Sequence, residues 1–115
     1  MKTKELILKI GGAGGSIKLF KINNQFVYTT DESTLMDLLN EEDHEGIEFK
    51  SSSELFDTFD LAMTSMMNRY PVFRLYPVEI SDDYRTEIKT YYQNYRNKNM
   101  NDNWGRDEWE QILNL

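Results

Sequence analysis

The stretch that decides the fold of this chain is Gly11-Gly12-Ala13-Gly14-Gly15, which lies between Ile7-Leu8-Lys9-Ile10 and Ser16-Ile17-Lys18-Leu19-Phe20. Four glycines in five positions are typical of a phosphate-binding loop, which leads from a strand into a helix. Here a second β-rich segment follows the glycines, without a Lys-Ser or Lys-Thr pair. Because glycine adopts positive φ without steric cost, the pattern predicts a wide hairpin turn and not a nucleotide site.

Three strands are predicted within the first 30 residues. Residues 5–10 and 16–22 flank the glycine turn, and Asn23-Asn24 forms a tight turn into residues 25–30, which are rich in β-branched and aromatic side chains. These strands form an antiparallel meander. Ile47-Glu48-Phe49 alternates as a short fourth strand would.

Helices are predicted in much of the remaining chain, beginning with a short one over residues 35–39. Ser51-Ser52-Ser53 is a strong helix start, and apolar residues at helical spacing extend that helix over residues 53–68. Pro71 ends it.

The segment after Pro71 is predicted to be extended over residues 72–80, because Pro71 and Pro77 each disfavour helix at the preceding residue. Ser81-Asp82-Asp83 caps a further helix. A polar break then precedes a last short helix, which carries Trp109.

These elements predict a single α+β domain over residues 1–115: an antiparallel meander of three to four strands with helices packed mainly on one face. The chain is long enough to build one core, and it contains no cysteine that would form a disulfide or a thiolate metal site. The residues expected to supply most of the core are Leu6, Leu8, Ile10, Ile17, Leu19, Phe26, Tyr28, Phe59, Ala62, Met66, Leu75 and Ile88.

The net charge of the chain indicates which partners it can bind. The sequence has 13 basic and 20 acidic residues, and its formal net charge is −7. Such a surface repels nucleic acid and anionic lipid, and it accelerates encounter with basic partners. An acidic surface that only maintains solubility remains the alternative. The apolar stretches are too short for a signal peptide or a membrane span, so we expect a cytoplasmic protein.

Catalytic and metal-binding groups are sparse in this sequence. The single histidine, His44, lies in the acidic loop of residues 41–46, which lacks the ligand spacing of a calcium site. No Gly-x-Ser-x-Gly motif is present, and Asp57 and Asp60 are spaced as the solvated face of a helix. We therefore expect no catalytic residue, no metal and no cofactor, and hence no enzyme.

An alternative function is a small-ligand module, in which the glycine-rich turn binds an anion or a nucleotide. Successive free backbone N–H groups form an anion-binding nest, and Lys9 and Lys18 lie beside the turn. The hairpin geometry alone also explains the glycines.

A surface for a protein partner is suggested by the aromatic residues of the last third of the chain. Tyr91, Tyr92 and Tyr95 cannot all face inward, because adjacent helical residues diverge by about 100°. Trp104 and Trp109 would extend such a patch, and tyrosine and tryptophan are enriched at interface hot spots. For one of Tyr91 and Tyr92, and for Trp104, exposure and burial are both open.

Two stretches together resemble a group of small bacterial proteins, some of which are encoded beside toxin genes. The first is the opening strand, the Gly-Gly-x-Gly-Gly-Ser turn and the second strand. The second is Arg69-Tyr70-Pro71-Val72-Phe73-Arg74-Leu75-Tyr76-Pro77-Val78-Glu79-Ile80, followed by Asp82-Asp83-Tyr84-Arg85. The resemblance covers about two-thirds of the chain, leaves out residues 97–115, and implies an immunity protein: a small cytoplasmic inhibitor of one toxin, without an active site of its own.

The leading hypothesis is thus a non-catalytic immunity protein that neutralises a cognate bacterial toxin by direct contact. The toxin is expected to present a basic active-site surface, with no role for nucleic acid or membrane as partners. Acidic residues would supply electrostatic complementarity, and three aromatic residues would supply contact area. The predicted partner-binding residues are Glu41, Glu42, Asp43, Glu54, Asp57, Asp60, Tyr91, Tyr92 and Trp104. The sequence leaves open whether the chain is a monomer or a dimer.

Overall fold

A computed structural model of the chain describes residues 4–12, 15–30 and 55–115. The strands and helices, in chain order, are β1 (Lys4–Gly12), β2 (Gly15–Ile22), β3 (Gln25–Thr29), α1 (Phe59–Arg69), β4 (Tyr76–Ile80), α2 (Arg85–Lys98) and α3 (Arg106–Ile112). Two 3-10 turns, Val72–Arg74 and Asp82–Tyr84, precede β4 and α2. The predicted α+β class is confirmed. The helix predicted over residues 35–39, the acidic loop and the strand predicted over residues 47–49 lie outside the described residues.

The sheet has the order β3-β2-β1-β4, and every neighbouring pair is antiparallel. The pairing of β1 with β2 closes with Gly12 opposite Gly15, so only two residues separate the strands and the turn is tighter than predicted. Asn23 has φ 55° in the next turn, a left-handed conformation that asparagine tolerates. The predicted meander is confirmed, and its fourth strand comes from the segment after Pro71.

That segment is only partly extended, which corrects the prediction for residues 72–80. Val72–Arg74 forms a 3-10 turn, and the strand begins at Tyr76. The turn buries Val72 and Phe73 against the helices, whereas a continuous strand would direct one of these neighbours away from the core.

One face of the sheet packs against all three described helices and forms the main core. Leu6 was predicted to belong to this core, but a β-bulge between Leu6 and Leu8 places Ile7 there instead. Leu6 packs on the opposite face, against a second cluster of Phe20, Ile22 and Val27. Leu75 is partly buried, and the other predicted core residues are buried as expected.

Helix α1 begins at Phe59 and not at the serines of residues 51–53. Thr58 caps it, because its hydroxyl oxygen accepts a hydrogen bond from the N–H of Leu61 at 3.1 Å. The backbone of Phe56 is already engaged in two hydrogen bonds with Phe26, of 2.7 and 2.8 Å, which extend the sheet beyond β3. This pairing holds residues 55–57 out of the helix.

Candidate binding surface around Trp104

Trp104 is one of the largest apolar side chains on the described surface, with 61% of it exposed. It borders two cavities. The first, of about 510 Å³, lies between Trp104 and Tyr76, and the second, of about 470 Å³, lies between Trp104, Arg74 and Met100. Tyr76 and Met100 are also exposed. We call the residues that line these two cavities the Trp104 surface.

The loop between α2 and α3, which carries Trp104, is held from inside the protein by Arg96. This arginine is only 7% exposed. Its Nη1 donates to the carbonyl oxygen of Asp102 at 2.6 Å, and its Nη2 donates to the carbonyl oxygens of Trp104 at 2.8 Å and Phe73 at 3.1 Å. A guanidinium presents five donors in a fixed fork, so it connects segments that a lysine would not reach together.

Two tyrosines of α2 complete the environment of this buried cation. The guanidinium carbon of Arg96 lies 5.0 Å from the ring centre of Tyr92 and 5.3 Å from that of Tyr95. Aromatic faces attract a cation, and this attraction offsets part of the cost of removing the guanidinium from water. The Nε atom of Arg96 has no hydrogen-bond partner.

Asp102 fixes the same loop from its outer side. Its carboxylate accepts hydrogen bonds from the hydroxyl of Tyr95 and from the backbone N–H of Trp104, the latter at 3.1 Å. Arg74 also lies near it, with 3.4 Å between its Nε and Oδ2 of Asp102. The hydrogen bond from Tyr95 and that from Trp104 lower the pKa of Asp102 below its ordinary value.

Gly105 lets the chain turn sharply from Trp104 into α3. Its φ of 66° is left-handed, and a Cβ atom here would lie 3.0 Å from the carbonyl oxygen of Leu75. That oxygen also accepts a hydrogen bond from Nε1 of Trp109 at 2.7 Å. The two tryptophans are therefore separated by one tight turn, with Trp109 fully buried and Trp104 at the surface.

The two sides of the Trp104 surface differ in charge. The second cavity carries Arg74 and Lys98 beside the single carboxylate of Asp102, and the guanidinium carbon of Arg74 lies 5.8 Å from the ring centre of Trp104. The first cavity carries Asp107 and Glu108. Neither of these carboxylates forms an ion pair or a hydrogen bond with a side chain in the described part of the chain.

The structure buries Tyr92, one of the residues predicted to contact a partner. Tyr92 is only 2% exposed and packs against Phe73 and Trp109 in the main core. Its hydroxyl donates to the carboxylate of Glu110 at 2.8 Å, and burial followed by this hydrogen bond raises its pKa. A partner does not reach this side chain unless the core opens.

Tyr91 is half-buried on the neighbouring side of α2. Its hydroxyl donates a hydrogen bond to Asp60 on α1. Burial and this hydrogen bond raise the pKa of Tyr91 to about 12. The pair joins the two helices, and neither residue borders the Trp104 cavities.

The remaining predicted partner-binding residues fall into two groups. Asp57 is exposed, and its carboxylate accepts a hydrogen bond from Nε2 of Gln25 at 3.3 Å, away from the Trp104 surface. The others lie outside the described residues: Glu41, Glu42, Asp43 and Glu54. Trp104 is exposed, as a contact role requires, and the role itself stays a prediction.

Sequence reasoning missed Tyr76, Arg96 and Gly105 as parts of this surface. A signal was present for Gly105, since an isolated glycine between two tryptophan-bearing segments indicates a left-handed turn. Arg96 follows Tyr92 by four residues, which places both on one side of a helix. For Tyr76, exposure depends on which edge of the sheet β4 joins, and no local pattern specifies that.

Three further predictions concern ligand binding at the glycine turn, metal binding and membrane spans. Lys9 lies opposite Lys18 on one side and Glu79 on the other, and ligand binding at the turn stays a prediction. Within residues 4–12, 15–30 and 55–115, no cluster of histidine, cysteine or carboxylate side chains is suited to a metal ion. In the same ranges, no helix has the length and apolarity to cross a membrane.

Comparison of the chain with protein-family models, with curated proteins and with solved structures finds no match.

Proposed function

We propose that this chain is a non-catalytic, cytoplasmic immunity protein that neutralises a cognate bacterial toxin by direct contact through the Trp104 surface. One observation carries the proposal: Trp104 is 61% exposed on a loop that Arg96 and Gly105 hold in place. A large aromatic side chain on a fixed loop buries much area with little loss of conformational entropy when a partner docks.

The charge of the chain supports the same proposal. A net charge of −7 favours a partner with a basic surface and increases the rate of encounter. Asp57 and Asp60 lie away from the Trp104 cavities, so they act in this proposal through the long-range field and not as contacts. The same field disfavours nucleic acid and anionic membranes.

The test compares three proteins: the wild-type chain, Trp104→Ala and Leu61→Ala. Leu61 is a matched control, because it is 56% exposed on α1 and its truncation also removes exposed apolar area. The tagged wild-type chain is used to isolate its partner from cells of the source bacterium, and that partner is then expressed in a susceptible host alone or with each protein.

We expect the partner alone to arrest growth, and we expect wild type and Leu61→Ala to restore it. Trp104→Ala should restore it poorly while unfolding at the wild-type temperature. If the wild-type chain gives no protection, the immunity function is wrong. If Trp104→Ala protects as well as wild type, the assignment of the contact surface is wrong.

A further inference from the structure

The first cavity of the Trp104 surface combines aromatic, amide and acidic groups in a space of about 510 Å³. This volume lies in the range of about 300–1,000 Å³ that is typical of ligand sites. Its aromatic walls are Tyr76 and Trp104, its amides are Asn101 and Asn103, and its carboxylates are Asp107 and Glu108.

Neither carboxylate in this cavity is hydrogen-bonded to the neighbouring cation of the chain, although Asp107 is near enough to interact electrostatically with it. Arg106, the residue before them, donates from Nε to Glu110 at 2.8 Å and from Nη1 to Asn103 at 3.1 Å. The hydrogen bonds of this guanidinium therefore go to Glu110 and Asn103 and not to the two carboxylates of the cavity. The cavity presents two exposed negative charges, and it therefore attracts a cation.

The aromatic walls favour the same kind of ligand. Tryptophan is the side chain whose face attracts a cation most strongly. The chain itself uses this interaction at Trp104, where the guanidinium of Arg74 lies 5.8 Å from the ring centre. Arg74 borders the second cavity and not the first, whereas Trp104 borders both.

We propose that the cavity between Tyr76 and Trp104 binds an arginine or lysine side chain of the partner protein, with Asp107 and Glu108 as its counter-charges. This inference rests on the proposed function for the source of the cation, a basic segment of the toxin. It goes further in naming the chemistry that is recognised. A neutral sugar is the other ligand that exposed aromatic rings and amides bind, and the test separates the two.

The probe is a short capped peptide, Gly-Arg-Gly-Arg-Gly, and its control is the same peptide with citrulline in place of arginine, which keeps the shape and removes the charge. Binding is followed by NMR through the indole N–H resonance of Trp104. We expect the arginine peptide to shift this resonance with a saturable curve and the citrulline peptide to leave it unchanged. Methyl glucoside and methyl mannoside are titrated in parallel.

A pair of double variants with the same net charge as each other tests the counter-charges. Asp107→Asn/Glu108→Gln removes two charges inside the cavity, and Asp83→Asn/Glu87→Gln removes two exposed charges beside the start of α2. We expect the first to weaken arginine-peptide binding by about tenfold and the second by less than about twofold.

The outcomes separate this inference from the function on which it rests. Equal weakening by both double variants, or equal binding of the citrulline peptide, would overturn the inference. A shift with the glycosides and none with the arginine peptide would assign the cavity to a sugar. Protection of cells that depends on Trp104 but not on Asp107 and Glu108 would keep the proposed function and reject the cation. Peptide binding without any protection would keep the cation site and reject the immunity function.

Discussion

The guanidinium of Arg96 donates a hydrogen bond from the core to the carbonyl oxygen of Trp104, with 2.8 Å between Nη2 and O. The same nitrogen donates to Phe73, in the turn that precedes β4. One buried cation therefore ties the loop that exposes Trp104 to the segment that leads to Tyr76. The relative position of the two aromatic walls depends on a residue that touches neither cavity.

Replacing Arg96 with methionine should destabilise the protein and loosen this loop. Three carbonyl oxygens, those of Phe73, Asp102 and Trp104, lose their donor. The gain from no longer burying a charge offsets part of this loss, so we expect the free energy of unfolding to fall by about 2 to 3 kcal/mol. Urea denaturation measures the change, and hydrogen exchange should accelerate at the amides of residues 99–104.

The matched control is Arg74→Met, which removes a guanidinium that contacts the outer side of the same loop from the turn before β4. Arg74 is half-exposed, and its contact with Asp102 is 3.4 Å long, so its loss should cost less than about 1 kcal/mol. Equal effects of the two substitutions would contradict the claim that the buried arginine organises the loop.

A second prediction concerns the turn at Gly105. Gly105→Ala places a side chain at φ 66° and brings its Cβ within 3.0 Å of the carbonyl oxygen of Leu75. We expect a loss of about 2 kcal/mol in unfolding free energy, because the left-handed conformation and the close contact both disfavour alanine. Thermal unfolding measures the change.

Gly11→Ala is the control for this substitution. A Cβ at Gly11 would meet only Cγ2 of Val78, at an ordinary distance of 3.5 Å, so alanine should be tolerated there. A Gly105→Ala protein as stable as Gly11→Ala would show that the turn is not constrained in this way.

Local turn chemistry explains why much of this fold was predictable. The glycine hairpin and the turn at Asn23 were identified because short patterns specify them. The cap at Ser81 was identified for the same reason: its hydroxyl accepts a hydrogen bond from the N–H of Asp83 at 3.3 Å and caps the 3-10 turn Asp82–Tyr84, which leads into α2 at Arg85. Such signals act within a few residues and do not depend on the rest of the molecule.

The errors arose where a residue's position depends on distant contacts. Residues 51–53 and Thr58 are both acceptable helix caps, and the pairing of Phe56 with Phe26, 30 positions earlier, decides between them. Tyr91 and Tyr92 differ by one step on α2, and the packing of Tyr92 against Phe73 selects which of them is buried. No periodicity in the sequence contains that information.

A third prediction follows from the hydrogen bond between Tyr91 and Asp60. The pKa of Tyr91 is raised from 10.0 to about 12, so its protonated form stabilises the fold at all pH values below 10. This contribution is lost as the pH rises from 10 towards 12. Tyr91→Phe should therefore reduce the unfolding free energy by about 0.5 to 1 kcal/mol at neutral pH. This difference in unfolding free energy between the variant and wild type, the stability gap, should narrow between pH 10 and 12.

Urea denaturation at neutral pH and at several pH values between 10 and 12 measures this gap. Tyr76→Phe serves as the control, because it removes a tyrosine hydroxyl that bonds to no other described residue, and it should stay near wild type at neutral pH. A gap for Tyr91→Phe that stays constant over the alkaline range would be inconsistent with a coupling to the tyrosine's ionisation.

The last prediction uses the contrast between the two tryptophans. Trp109 is fully buried, and its indole N–H donates to Leu75, whereas Trp104 is 61% exposed. In Trp104→Phe the tryptophan fluorescence comes from Trp109 alone. We expect its emission maximum to lie at a shorter wavelength than that of wild type, and we expect it to resist quenching by acrylamide, because the quencher does not reach the buried indole. In Trp109→Tyr, if it folds, the remaining emission should be readily quenched. Trp104→Phe is sufficient to test whether Trp109 is enclosed, since this variant should fold with an unfolding free energy within about 0.5 kcal/mol of wild type. Strong quenching of that variant would mean that Trp109 is not enclosed, and the fixed turn that presents Trp104 would then lose its support.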